Sequence, residues 1–409
     1  MMKALFMGLG YIGLPTAAVA AKSGIEVIGV DINQSVVDTI NRGEIHIIEP
    51  ELDKLVKDVV SKGQLRATTK PENADVFLIV VPTPFKQNHR ADISYVENAT
   101  KSVIPHLNPG NLFIIESTSP VMTTEKIADL IFKTRPELKG QIFIAYCPER
   151  VLPGNVIFEL EHNDRVIGGV NEESSQKAIE FYKTFVKGNL HITNARTAEM
   201  CKLTENSSRD VQIAFANELS IICDKAGINV WELIELANKH PRVNILQPGS
   251  GVGGHCIAVD PWFIVTDFPE QAQIIKRARE TNDYKADWCA NKVIESCNQF
   301  EAKNNREPIV ACMGLAFKPD IDDLRESPAK YITSRIISEA HAQVLVVEPN
   351  IRCHKTFNLI DHKEAYQKAD IVAWLVKHKE FLKYSSTPKK VEFDFCGINK
   401  IIKDVRFKR

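Results

Sequence analysis

Cys256 closes a glycine-rich run, Pro248-Gly249-Ser250-Gly251-Val252-Gly253-Gly254-His255-Cys256, and Asp260 follows four residues later. A thiolate is a strong nucleophile, provided that positive potential or a helix N-terminus favours its ionised form. Glycine has no Cβ, so Gly249, Gly251, Gly253 and Gly254 would let backbone approach a ligand closely. A helix opening around Ile257 would supply N–H groups beside the sulfur. His255 is adjacent, but neighbours on a loop usually point apart, so it is not read as a base. The competing reading of Cys256 is a buried structural thiol.

A second constellation lies at the other end of the chain. Gly8-Leu9-Gly10-Tyr11-Ile12-Gly13 follows a β-rich run and opens a helical one, and Asp31 ends the next strand-like run. This is the plan of a dinucleotide site. Gly8 makes the turn, Gly10 admits the pyrophosphate, and Gly13 allows close helix packing. The helix N-terminus faces the phosphates, and the Asp31 carboxylate accepts from the adenosine ribose. That carboxylate would repel a 2′-phosphate, which favours NAD over NADP. Thr83 and Thr118 each follow a buried strand and either reach the nicotinamide side or only form turns. A hydride acceptor together with a thiol points to oxidation of an aldehyde through a thioester, beyond a simple alcohol–carbonyl exchange.

Other polar groups could complete such a site. Lys202, Asn206 and Arg209 fall at i, i+4 and i+7, on one face of a helix. They read either as a solvated face or as donors, Lys202 and Asn206 toward a developing oxyanion. Asp260 could hold a water or pair with Lys202. Glu149, in Tyr146-Cys147-Pro148-Glu149-Arg150, could handle the proton of an attacking water. His240-Pro241-Arg242 and Phe317-Lys318-Pro319, with Arg325 further on, carry local charge suited to a phosphate-bearing substrate. No metal-ligand set is read.

The elements that must position these residues follow from periodicity. Strands are expected over 4–7, 26–30, 76–81, 112–115 and 142–145, with helices over 16–23, 96–104 and 124–133. That alternation predicts a doubly wound, mostly parallel sheet. Runs 165–169 and 190–192 could add edge strands around a helix over 172–186. Residues 197–226 and 270–303 contain neither Pro nor Gly, which fits long helices. Strand-like runs return over 309–313, 343–347 and 370–375, with a helix over 329–340. The expected fold class is α/β, with two Rossmann-like doubly wound domains joined by a long central helical segment. Its divisions are 1–194, 195–304 with the cysteine loop, and 305–409. The two α/β parts show no convincing sequence repeat. Clefts are expected at strand C-terminal ends and between domains.

Composition narrows the partners. The 409 residues carry a formal net charge of -1, so nothing favours a nucleic-acid or anionic-membrane surface. Apolar runs are too short to span a bilayer, and the start of the chain has no signal-peptide plan. Nine scattered cysteines without C-x-x-C spacing argue against a disulfide framework or structural zinc. A reduced, cytoplasmic protein is expected, with the other eight cysteines as small apolar fillers.

In order, the glycine fingerprint, Glu-Ser-Thr-Ser-Pro-Val, Cys-Pro-Glu-Arg, Glu-Met-Cys-Lys-Leu-Thr-Glu-Asn, Gly-Gly-His-Cys-Ile-Ala-Val-Asp-Pro and Gly-Leu-Ala-Phe-Lys-Pro resemble the nucleotide-sugar 6-dehydrogenases. The resemblance runs from residue 3 to about 375 and is most specific over 195–265. It implies Cys256 as thioester nucleophile, Lys202 and Asp260 as its polar assistants, and Glu149 in hydrolysis. It implies NAD contacts from Gly8, Gly10, Tyr11, Ile12, Gly13, Asp31, Thr83, Thr118 and Arg325. A UDP-sugar would meet Arg150, Val151, Lys202, Asn206, Arg209, His240, Arg242, Gly253, Phe317 and Lys318. Arg242 would reach a partner subunit's site, so a homodimer or larger homo-oligomer built on the central helix is implied. Tyr146 to Gly154 looks like the N-acetylhexosamine branch, whereas the glucose branch typically has Asn-Pro-Glu-Phe there. Cys396 departs from the family, whose members usually carry a basic residue at that place.

The implied reaction is NAD-dependent, four-electron oxidation at C6 of UDP-N-acetylmannosamine, supplying a bacterial surface polysaccharide. UDP-N-acetylglucosamine or another UDP-hexosamine is the alternative substrate. A two-electron hydroxyacid dehydrogenase would need no cysteine loop. A non-catalytic regulator binding NAD and a UDP-sugar would need no Cys256, Lys202 or Asp260.

Overall fold

In a computed structural model, residues 2–151, 154–384 and 390–398 are described. The chain divides into two compact units, residues 1–205 and 206–409. The first holds β1 (Lys3–Met7), α1 (Gly13–Lys22), β2 (Glu26–Val30), α2 (Gln34–Asn41), α3 (Leu52–Ser61), β3 (Leu65–Thr68), β4 (Val76–Ile79) and α4 (Ser94–Val103). It continues with β5 (Leu112–Ile115), α5 (Thr123–Thr134), β6 (Phe143–Tyr146), α6 (Val156–His162), β7 (Arg165–Gly169), α7 (Glu172–Tyr182) and β8 (Leu190–Asn194). These strands form one sheet in the order β3-β2-β1-β4-β5-β6-β7-β8. Only the β6–β7 pairing is antiparallel.

Both faces of this sheet are covered, which is why its strands read as unbroken apolar runs. Ala4, Phe6, Leu78 and Ile114 face one core, while Leu5, Met7, Phe77, Ile79 and Ile115 face the other. Chain order reverses between β1 and β4, so their C-terminal ends leave the crevice where doubly wound folds bind ligands.

The 32-residue helix α8 (Ala195–Ala226) begins in the first unit and ends in the second. The second unit then holds α9 (Val230–Ala237), α10 (Asp260–Asp267), α11 (Gln273–Asn304), β9 (Ile309–Met313), α12 (Pro328–Glu339), β10 (Gln343–Val347), α13 (His362–Lys368), β11 (Ile371–Trp374) and β12 (Val391–Asp394). The two runs without Pro or Gly are thus α8 and α11. The four strands form a parallel sheet in the order β10-β9-β11-β12. Side chains split by parity again: Val310, Cys312, Ile371 and Ala373 on one face, Ala311, Met313, Val372 and Trp374 on the other. Helix starts follow local chemistry. Asn33, Asn171, Asn229, Ser327 and Asp361 each accept a first-turn N–H, and Pro328 occupies the first turn of α12. The helix expected over 172–186 stops at Tyr182.

The two α/β parts share a local architecture that shows only faintly in sequence. Met7-Gly8-Leu9 and Met313-Gly314-Leu315 follow β1 and β9, and Val30-Asp31-Ile32-Asn33 parallels Val347-Glu348-Pro349-Asn350. Gly8 and Gly314 share the left-handed backbone, with φ of 99° and 100°. The Gly8 N–H donates to Val30 O at 2.8 Å, and the Gly314 N–H to Val347 O at 2.9 Å. Leu9 N–H donates to Asp31 Oδ2 at 3.2 Å, as Leu315 N–H does to Glu348 Oε2 at 2.8 Å. Asn33 and Asn350 close the pattern by donating their N–H to the same acids, at 2.9 and 3.0 Å. Different spacing between the halves, and exchange of Asp for Glu, hide this in the sequence.

Candidate active site

The glycine turn between β1 and α1 is built from backbone contacts. A Cβ on Gly8 would stand 2.5 Å from Val80 O, and one on Gly13 would stand 1.9 Å from Gly8 O. Gly13 is therefore required mainly by the turn itself, more than by the sheet. A Cβ on Gly10 would meet nothing within 4 Å. Open space in front of Gly10 is what a pyrophosphate needs. Asp31 is half-buried at the end of β2, tied to the turn through Leu9 N–H. Tyr11 is exposed and Ile12 half-buried beside it. At the end of β4, Thr83 Oγ1 is buried with no protein partner, and half-buried Thr118 follows β5. An unclaimed hydroxyl and an unfilled glycine, both at the switch point, fit NAD.

Glu149 is not a lone exposed acid. It is 8% exposed, and Oε1 accepts the Arg150 N–H at 2.6 Å while Oε2 accepts from Arg165 Nη2 at 2.9 Å. Arg165 Nη1 is 3.7 Å from Glu116 Oε1, which also accepts the Tyr182 hydroxyl at 2.5 Å. Arg165, Glu116 and Tyr182 escaped the sequence reading because their partners lie far apart in the chain. The signal was charge inside strand-like runs, at Arg165 and at Glu116 after β5. Arg150 Nη2 pairs with Glu205 at 2.7 Å, and Val151 is half-buried.

The cysteine loop lies wholly in the second unit, and three of its glycines are closely packed against the protein itself. A Cβ on Gly253 would meet Glu326 O at 2.4 Å and Phe317 Cβ at 2.8 Å. One on Gly254 would meet the Phe317 ring at 2.9 Å, and one on Gly251 would meet Pro328 at 3.0 Å. These glycines seat the loop on the protein's own 317–328 segment. Gly254 N–H donates to Arg325 O, Gly249 N–H to Asn217 Oδ1, and Ser250 Oγ to Leu375 O. Asn217 in turn holds Asn282, and Asp210 holds Asn282 and Arg279, so α8 and α11 brace the loop. No sequence pattern links these residues.

The helix after Cys256 opens at Asp260, not near Ile257. Residues 256–259 form a turn instead, in which Cys256 O accepts the Val259 and Asp260 N–H groups at 3.0 and 2.8 Å. Asp260 is 3% exposed, and its Oδ2 accepts from Asn206 Nδ2 at 2.5 Å. The second unit therefore brings Cys256, Asp260 and Asn206 together. Lys202 stands one turn before Asn206 on α8, half-buried, and Arg209 is exposed further along. His240 and Arg242 lie exposed in the turn after α9, and Lys318 is exposed after Phe317. Arg325 belongs to the second unit, where its guanidinium forks onto Asp323 at 2.6–3.0 Å. Of the other cysteines, Cys147, Cys223, Cys289, Cys297 and Cys312 are buried, as fillers should be. Burial pushes the thiols of Cys147, Cys289 and Cys312 up to about 12. Cys201 and Cys396 are half-buried and Cys353 is exposed.

Glu348 holds the Gly314–Lys318 turn as Asp31 holds the first one. Burial alone would raise its carboxyl. The His378 interaction and the Asn350 and Leu315 N–H groups outweigh that and hold it down to about 2. His378 Nδ1 already takes the Asp320 N–H and Asn350 Nδ2, both at 3.0 Å. Asp320, His378 and Glu380 place their side-chain ligand atoms within 4.8 Å of one another, and Glu380 Oε2 is buried with no protein partner. A carboxyl depressed in the folded state stabilises above its unfolded value near 4.5, and that contribution is lost as pH falls toward 2. The shift corresponds to at most about 3 kcal/mol. Glu348→Gln should therefore flatten the acid limb of a urea-midpoint-against-pH curve between those limits. A limb as steep as wild type would refute this role.

Known proteins match this architecture along the chain. Residues 2–186 match the NAD binding domain of the UDP-glucose/GDP-mannose dehydrogenase family, 196–284 its central domain, and 311–406 its UDP binding domain. A UDP-N-acetyl-D-mannosamine dehydrogenase of Campylobacter jejuni is 56% identical over 400 residues, covering 94% of this chain and 97% of that protein. An NDP-N-acetyl-D-galactosaminuronic acid dehydrogenase of Ralstonia nicotianae is 54% identical, covering 92% and 91%. The solved structure of a UDP-D-ManNAc dehydrogenase from Pyrococcus horikoshii superposes with a TM-score of 0.88 at 39% identity, covering 98% of this chain and 96% of that one. Among the described residues, no helix is long and apolar enough to cross a membrane. With a glycine turn shaped for NAD in one unit and a thiol seated before α10 in the other, the chain belongs to the UDP-glucose/GDP-mannose dehydrogenase family of NAD-dependent nucleotide-sugar dehydrogenases.

Proposed function

We propose that the chain oxidises C6 of UDP-N-acetyl-D-mannosamine to the uronate, through a covalent bond to Cys256. The observation that carries this reading is the Cys256–Asp260–Asn206 arrangement, a thiol one turn ahead of a buried, hydrogen-bonded carboxylate. The mannosamine choice is supported by the 56% identical relative from Campylobacter jejuni. Gly8, Gly10, Tyr11, Ile12, Gly13, Asp31, Thr83, Thr118 and Arg325 would hold NAD, which supplies hydride-acceptor chemistry twice per sugar. Arg150, Val151, Arg209, His240, Arg242, Gly253, Phe317 and Lys318 would hold the UDP-sugar. In this scheme the segments 1–194, 195–304 and 305–409 carry cofactor, thiol and nucleotide-sugar functions in turn.

The sugar alcohol first becomes an aldehyde. Cys256 Sγ then bonds to C6, and the carbonyl oxygen takes a proton, giving a thiohemiacetal. That step makes C6, which still carries one C–H bond, tetrahedral and able to lose a second hydride, which leaves a thioester. Lys202 and Asn206 stabilise the negative oxygen as it develops. Glu149 takes the proton of the attacking water, the C6–S bond breaks, and the thiolate returns to Cys256. Asp260 keeps Asn206 and the thiol turn in register. A cytoplasmic homodimer, in which Arg242 completes a partner's site, and a product destined for surface polysaccharide fit the same reading.

Limiting UDP-N-acetyl-D-mannosamine with excess NAD should yield about two NADH per sugar. A yield of about one would leave the aldehyde as product and reduce Cys256 to a structural thiol. The relative from Ralstonia nicotianae favours an N-acetylgalactosamine nucleotide as second reading. No NADH from the manno sugar, with turnover of the galacto isomer or the gluco epimer, would select that sugar instead.

A further inference from the structure

A charged cluster is closed inside the first unit, behind the proposed hydrolytic residue. Arg165, at the start of β7, is 4% exposed, and Glu116, after β5, is 3% exposed. One guanidinium thus stands between two carboxyls, 2.9 Å from Glu149 Oε2 and 3.7 Å from Glu116 Oε1. Arginine does not give up its proton. With both acids ionised the cluster carries a net negative charge that is largely buried. With one proton shared between them it is neutral, the state that burial favours.

Hydrogen bonding says which acid holds that proton. Both Glu149 oxygens accept a donor, the Arg150 N–H and Arg165 Nη2. Glu116 accepts from Tyr182 at Oε1, and its Oε2 is buried with no partner. The less satisfied carboxyl, Glu116, is the one that takes the proton. The groups facing Glu116 are Arg165, Glu149, Tyr182 and, across the guanidinium, Cys147, whose Sγ lies 3.8 Å from Arg165 Nη1. Glu116 also opens the Glu116-Ser117-Thr118 segment, so the cluster ties the expected nicotinamide-side loop to Glu149.

We propose that Arg165, backed by Glu116, is a positioning residue that fixes the Glu149 carboxylate in the one orientation in which it can take the proton of the hydrolytic water. Burial pushes the Glu116 carboxyl up to about 7, against the pull of Arg165. The cluster therefore changes charge within the working pH range. Above that point Arg165 is shared between two carboxylates and holds Glu149 less firmly. This inference rests on the thioester reading given above.

The test uses the full chain with UDP-N-acetyl-D-mannosamine and NAD, quenched at short times. Intact mass reports acyl-Cys256, and acid release is followed from pH 5.5 to 9. Arg165→Lys keeps a charge but loses the fork. It should accumulate the acyl adduct and slow acid release about 10²-fold, while the first hydride transfer changes less than about threefold. Glu116→Gln keeps the Tyr182 partner and a neutral group, so it should fold, and it should remove the inflection near pH 7 from the hydrolysis profile. Equal slowing of both steps in Arg165→Lys, or an inflection that survives Glu116→Gln, overturns the positioning role. The wild type separates the two levels. If it yields one NADH per sugar, the thioester reading fails. If it yields two, the variants judge Arg165 and Glu116 alone.

Discussion

Cys256→Ser should abolish conversion of the sugar to its acid, by at least about 10³-fold, or roughly 4 kcal/mol of transition-state stabilisation. A serine hydroxyl is far less ionised near neutral pH than a thiol, and it is the weaker nucleophile toward the aldehyde carbon. Without the covalent step the aldehyde has no tetrahedral carbon from which a second hydride can leave. Fold and stability should survive. The turn is held by backbone groups, Cys256 O accepting the Val259 and Asp260 N–H groups, and serine keeps that backbone. A melting curve close to wild type, with at most one NADH per sugar and trappable aldehyde, is the expected result. Two NADH per sugar from the serine variant would sink the covalent route, whatever the substrate.

A pair of glycine substitutions should separate folding from cofactor binding. Gly13→Ala places a methyl 1.9 Å from Gly8 O and 3.0 Å from Gly8 C. Both are backbone atoms with nowhere to go, and the helix behind them is buried from Gly13 to Ala21. Overpacking of this kind should cost about 3 kcal/mol of stability, and it should weaken NAD binding as the turn is displaced. Gly10→Ala meets nothing within 4 Å, so stability should stay within about 1 kcal/mol of wild type. Yet its methyl stands where the pyrophosphate should approach, and NAD affinity should fall at least about tenfold. Urea midpoints and calorimetric NAD titration decide the matter. If Gly10→Ala binds NAD as wild type does, the pyrophosphate does not pass that residue.

Much of this molecule is written locally. The apolar strands, the glycine turn with Asp31, and the two long helices are legible because each depends on a short window of sequence. Strand parity, the demand for a left-handed backbone at Gly8, and the absence of Pro and Gly act over a few residues. The order of family motifs around Cys256 is equally a property of the linear chain. β3 and β12 escaped because they are edge strands in which charged residues break the apolar run that marks the buried strands.

The tertiary structure decided what distant residues do to one another. Glycines of the thiol loop read as ligand-facing, but most of them clear space for Phe317, Glu326 and Pro328. Glu149 read as a candidate for the proton of the attacking water, but its burial on Arg165, shared with Glu116, was not legible. The second acid-held turn, at Gly314 and Glu348, emerged only once backbone hydrogen bonds aligned it with Gly8 and Asp31. The physical reason is common to all three. Secondary structure and turns follow from steric and apolar preferences of neighbours in sequence, whereas burial, charge pairing and close approach are set by which segments the fold brings within a few ångströms.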